Sequence, residues 1–222
     1  MLKPTGTADH QAPRALILNF AGVLTADPLP AQRTWAASEG LHAEAWRTAL
    51  SDVAVGRPLY SELEIGRLSQ AEWNVKTAPL LGAGVDPTNL MGRVWSQVPA
   101  ARRMAALARA AKEAGYRLAL LSNSFGLDPF NPYEHVGIWD LFDVHVISEA
   151  VGMAKPDPAI YRLTLDRLGL PGEACVFVDD HPANLPPAAA LGITTVLATD
   201  EDDTVAELES LLGVTAALPV QG

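Results

Sequence analysis

Residues 175–184 read CVFVDDHPAN: four apolar residues in a row, then two adjacent aspartates and a turn. A run this short and this apolar, closed by polar residues, signals a strand buried on both faces of a parallel sheet. The same grammar recurs at ALIL (15–18), RLALLS (117–122), VHVIS (144–148) and TTVLA (194–198). Helical segments fill the gaps. AARRMAALARAAKEAG (100–115) is alanine-rich and ends on glycine, and DPAIYRLTLDRLG (157–169) opens on Asp157 as N-cap, with Pro158 in the first helical position and Gly169 as the stop. In the next helix Asn184 is expected to cap, Pro186 and Pro187 to sit in the first turn, and Gly192 to end it. Strands alternating with helices make an α/β fold with a Rossmann-like parallel sheet.

Residues 26–98 break the alternation. They hold no strand-like run but several helical patches rich in Ala, Leu and Trp, among them PLYSELEIGRLSQAEW, where Ser69 and Glu72 are spaced as a capping box. The reading is a core of residues 14–25 and 99–215, a helical cap of 26–98 inserted after the first strand, and flexible tails at 1–13 and 216–222. With no repeat or long linker, the insertion is expected to pack on the core as a lid. Its Trp35, Trp46, Trp73 and Trp95 are read as core anchors, or, if exposed, as a partner surface.

The chain has 222 residues, 49% of them hydrophobic and 19% charged, enough for a sizeable core. A net charge of -10 disfavours nucleic acid and anionic membrane as partners. The single cysteine, Cys175, allows no disulfide within the chain and points to a reducing, cytoplasmic setting. No apolar stretch approaches the roughly 20 residues that span a bilayer, and MLKPTGTADHQAP at the start lacks the layout of a signal peptide.

Ligands of an open parallel sheet bind at the carboxyl ends of its strands, so the residues after each apolar run are the ones to inspect. Asp179 and Asp180 repel each other in a partly desolvated site unless a cation compensates, and Mg²⁺ is the natural choice; capping of the next helix is the plainer reading. Lys155, held out of helical geometry by Pro156, can aim its amine into the cleft as a charge for a phosphate or carboxylate, or lie solvated at the surface. The Ser122 hydroxyl and the amides of Asn123 and Ser124 can cradle an oxyanion, although SNS alone is only a turn. His181, directly after the aspartate pair, could touch a ligand, but a supporting or solvent-facing place is expected.

Taken together, NFAGVLT (19–25), SNS (122–124), GMAKPDPAIY (152–161) and VFVDDHPANLPPAAALG (176–192) resemble the haloacid dehalogenase-like hydrolase superfamily, specifically the branch related to the N-terminal phosphatase domain of epoxide hydrolases. The resemblance runs from about residue 14 to residue 200. It implies a Mg²⁺-dependent phosphoaspartyl mechanism in which Ser122 and Asn123 hold the phosphoryl oxygens and Lys155 neutralises nucleophile and phosphate. Asp179 and Asp180 would hold Mg²⁺ together with the Ala21 carbonyl and the side chain at position 19, and Asn184 would brace their loop.

The departure falls on the chemistry. Position 19 is the family's nucleophilic aspartate and here is Asn19; position 21 is the acid/base aspartate of most of its phosphatases and here is Ala21. A neutral amide oxygen is a poor nucleophile, and its loss is expected to cost roughly 10⁴ to 10⁶ in rate. Ala21 also removes a proton donor to the leaving group. The leading reading is a pseudoenzyme that binds a small phosphorylated ligand, with Mg²⁺ weakened by the loss at position 19. An active small-molecule phosphatase, Asn19 being a trapping substitution, is the alternative, and a 2-haloacid dehalogenase a more distant one.

Overall fold

The computed structural model describes residues 13–51 and 59–217. Most of the two tails read from the sequence, and part of the insertion, lie outside the described residues. The described residues open with strand β1 (Ala15–Leu18) and then run through α1 (Leu29–Ser38), α2 (Ala45–Ser51), α3 (Leu59–Glu64), α4 (Gln70–Leu81) and α5 (Leu90–Trp95). After them α6 (Arg102–Glu113) leads to β2 (Arg117–Ser122), α7 (Pro132–His135), β3 (Val144–Ile147), α8 (Ser148–Val151) and α9 (Pro158–Leu168). The chain continues with β4 (Cys175–Asp179), α10 (Leu185–Ala189), β5 (Thr194–Leu197) and α11 (Glu201–Leu212).

The five strands form one parallel sheet in the order β3-β2-β1-β4-β5. β1 is central, flanked by β2 and β4, so the loops that follow these three strands converge at one end. Side chains alternate across the pleat. Leu16, Leu18, Leu120 and Val178 face one apolar cluster, while Ala15, Ile17, Leu121 and Phe177 face the other. α9 and α10 cover the second face, and α6 and α11 pack together over the first.

The helices α1–α5 share the first cluster with the sheet. Where the chain leaves β1 and returns to α6, Thr25 bridges Ala100, the Ala26 amide donates to the Pro99 carbonyl (2.9 Å) and the Ala101 amide to that of Leu24 (2.9 Å). The insertion therefore enters and leaves through one zipped neck. Trp35, Trp46 and Trp73 are fully packed at its centre, in edge-to-face contacts with centroids 5.4 and 5.5 Å apart. Trp95 is buried too, so the reading of these tryptophans as an exposed partner surface is corrected: they are core anchors. The Ser69–Glu72 capping box forms as expected at the start of α4. Buried Gln70 then ties α4 to the loop after β2, donating to the Phe130 carbonyl (3.1 Å) and accepting from the Phe130 amide (3.1 Å).

Asp157 caps α9 as the sequence indicated, with Pro158 in the first turn and Gly169 in the left-handed region at its end. Asn184 precedes α10, but its side chain makes no cap; it is drawn instead to Asp179. No helix among the described residues is long and apolar enough to cross a membrane.

Candidate functional site

Asn19 follows the central strand, and its buried carboxamide reaches three partners. Its Oδ1 accepts from Lys155 Nζ (2.8 Å), while Nδ2 donates to the Ala21 carbonyl (2.9 Å) and to Asp180 Oδ1 (2.8 Å). This fixes which end of the amide is which, because an ammonium can only donate and a carbonyl and a carboxylate can only accept. The loop is able to come this close to Asp180 because position 22 is glycine in the left-handed region (φ +72): a Cβ there would lie 2.6 Å from Asp180 Oδ2.

Lys155 is 5% exposed and all three of its ammonium hydrogens are used, on Asn19 Oδ1, on the Leu121 carbonyl (3.0 Å) and on Asp179 Oδ2 (2.6 Å). The pair is matched by full bracing of Asp179, which has no exposed surface and whose Oδ1 accepts from the His181 amide (2.8 Å) and Asn184 Nδ2 (3.0 Å). Burial pushes the Lys155 ammonium below its ordinary value, and Asp179 works against that shift. Asp180, open to solvent on its outer side, is held above the ordinary carboxylate range by partial desolvation and by Asp179; the Asn19 amide and Lys155 pull the other way.

The third wall is the end of β2. Ser122 accepts from the Tyr133 hydroxyl (2.9 Å), and the Asn123 side chain is clamped on the backbone of Lys155, accepting from its N–H (2.8 Å) and donating to its C=O (3.0 Å). Thus the Asn123 carboxamide sets the lysine loop, leaving only its main chain for a ligand. One expectation is corrected here: the Ser124 amide is not free for an oxyanion, because it donates to the Ser148 hydroxyl (2.8 Å). Of the places open to it, His181 takes a solvent-exposed one.

Three contributors were not legible in the sequence. Tyr133 orients Ser122. Gln32 on α1 borders a chamber of about 200 Å³ that opens beside Ala21, Ser122 and Asn123. Glu64 ends α3 one turn after Tyr60, which also lines that chamber. The Glu64 carboxylate accepts no hydrogen bond among the described residues; desolvation raises it to about 7, with Lys155 opposing. The i, i+4 spacing of Tyr60 and Glu64 is the signal that could have found it.

The sign of the consequence follows from proton binding. An acid with a raised folded value holds its proton where the unfolded chain has lost it, so stability falls as pH rises from about 4.5 to about 7 and is level above. Glu64→Gln is therefore expected to raise the melting temperature by a few degrees at pH 8 and to leave it unchanged at pH 4, read by thermal melts of both proteins in matched buffers.

The chain is similar to known proteins in sequence and in fold. The sequence pattern of the haloacid dehalogenase-like hydrolases matches residues 10–192. Bifunctional epoxide hydrolase 2 of Rattus norvegicus is 32% identical over 157 residues, 65% of this chain and 28% of that protein. A sesquiterpene phosphatase of Aspergillus oryzae is 33% identical over 111 residues, 50% of this chain and 57% of its own length. The chain spans between 15 and 28% of the length of the epoxide hydrolases it matches. In fold it is similar to a haloacid dehalogenase family enzyme of Bacteroides thetaiotaomicron solved with magnesium and inorganic phosphate, with a TM-score of 0.61 and 20% identity over 84% of this chain and 94% of that one.

Proposed function

Because the chain belongs to the haloacid dehalogenase-like hydrolases, we propose that it uses the strand ends of that fold to bind a small phosphorylated molecule and does not hydrolyse it. The observation that carries the reading is the placement of the Asn19 amide. Its two N–H groups face the Ala21 carbonyl and Asp180, which are two of the oxygens a Mg²⁺ ion would draw on, and its oxygen is spent on Lys155. The donor set in this arrangement does not fit a tightly held cation: the amide supplies the positive edge that a metal would otherwise supply. Magnesium in such a site would lend charge to the phosphoryl oxygens.

What the chain's own residues would do follows from chemistry. With asparagine at position 19 the cluster carries one lysine and two aspartates, one negative charge fewer than an aspartate there would give. That lowers the repulsion of an incoming phosphate and strengthens ground-state binding relative to attack. Ser122 and the main chain of Asn123 would meet its oxygens, Lys155 would supply the field, and Asn184 would hold Asp179 in place. The helices α1–α5 would act as the cap that keeps water off the site.

Attack itself is missing a nucleophile at Asn19 and a leaving-group acid at Ala21. The active-phosphatase reading draws on the intact Lys155–Asp179 pair and applies to a form with aspartate at 19. Nothing in the geometry favours dehalogenation, which needs the same carboxylate. Calorimetric titration with inorganic phosphate in excess chelator tests the proposal: saturable binding is expected, weakened several-fold by Ser122→Ala. Binding that appears only with Mg²⁺ would contradict it.

A further inference from the structure

The chamber beside the phosphate site carries more information than the phosphate site itself. Its walls are Phe20 and Phe125 from the core and Trp46, Leu50 and Trp95 from the insertion. At the end nearest Asn19 it is bordered by Ala21, Ser122 and Asn123, so a phosphate held there would point its ester group into the chamber. The wall at Ala21 is a methyl group, with neither charge nor hydrogen-bonding capacity. At about 30 Å³ per water in the liquid, the chamber of about 200 Å³ has the volume of a single substituted ring.

Away from the strand end, two polar groups interrupt these apolar walls, the Gln32 carboxamide and the Tyr60 hydroxyl. Gln32, on α1, is 8% exposed and lines the chamber, and its carboxamide makes no hydrogen bond among the described residues. Its polar atoms are not sealed from water, so a ligand group that meets them must replace the hydrogen bonds that water makes there. In the same wall, Tyr133 has its hydroxyl committed to Ser122. Gln32 is thus an unspent donor and acceptor aimed at whatever fills the space.

We infer that the ligand is a phosphomonoester of a compact, largely apolar alcohol or phenol, of ring size, that carries one neutral polar group for Gln32 on the wall it shares with the Tyr60 hydroxyl. The inference rests on the phosphate reading above and adds the chemical class of the organic part. Polyhydroxylated esters such as sugar phosphates fit poorly, because each hydroxyl would lose water against an aromatic or aliphatic wall that cannot replace the hydrogen bond.

The test is calorimetric binding of six probes to the full chain: inorganic phosphate, glycerol 2-phosphate, phenyl phosphate and the three monohydroxylated phenyl phosphates. Phenyl phosphate is expected to bind about tenfold more tightly than glycerol 2-phosphate, from burial of the ring. At least one hydroxylated isomer is expected to gain a further several-fold. In Gln32→Leu that second gain disappears, so that the hydroxylated isomers bind no more tightly than phenyl phosphate does to the same variant. Binding of inorganic phosphate with glycerol 2-phosphate as tight as phenyl phosphate would overturn the inference and leave the phosphate reading standing. Failure of inorganic phosphate and all the esters to bind would overturn both.

Discussion

Asn19→Asp is expected to give a Mg²⁺-dependent phosphatase whose kcat/KM for 4-nitrophenyl phosphate exceeds that of the wild-type protein by about 10⁴ or more. The argument begins with the amide. Asn19 Oδ1 already accepts from Lys155 at 2.8 Å, the orientation a nucleophilic oxygen would need. Replacing Nδ2 by oxygen turns two hydrogen bonds, to the Ala21 carbonyl and Asp180, into oxygen–oxygen repulsions. A divalent cation relieves them, so one substitution supplies the nucleophile and makes room for the metal. The substrate matters because 4-nitrophenolate leaves without a proton, which bypasses the missing acid at Ala21. Alkyl phosphates should gain far less until Ala21→Asp is added. Equal rates for the two proteins would mean that Asn19 is not the disabled position.

The second large effect is on stability. Lys155 and Asp179 pair at 2.6 Å with 2% and 0% of their side chains exposed. Lys155→Met leaves the Asp179 carboxylate buried without its cation, and a loss of about 3–5 kcal/mol is expected in chemical denaturation, a large part of an ordinary domain's stability. The double variant Lys155→Met with Asp179→Asn should recover part of that loss, since neither charge is then stranded. A loss under about 1 kcal/mol in the single variant would show that Asp179 does not depend on Lys155.

Much of this site could be read before the structure because strand ends are punctuated. The four apolar residues before Asp179, the proline after Lys155 and the serine that closes β2 each mark a boundary by local chemistry. The sheet places all three beside Asn19 because β1 is central. Helix boundaries at Asp157 and Ser69 were legible for the same reason: a capping side chain and its amide are close in sequence. The roles that escaped depend on partners far along the chain. Ser148 takes the Ser124 amide from another loop. Asn184 turns from capping α10 to Asp179 because a buried carboxylate is the stronger acceptor. Gln32 sits on the insertion, where facing is set by how α1 packs, and Glu64 shows only through its i, i+4 spacing from Tyr60.

In the proposed site the Asn19 amide stands in the metal's place. The most direct test is the melting temperature of the wild-type protein and of Asn19→Asp with and without millimolar Mg²⁺. The account predicts that wild type is unmoved, and that Asn19→Asp melts lower in chelator and recovers several degrees when Mg²⁺ is added. A Mg²⁺-dependent rise in the wild-type protein as large as in the variant would contradict it.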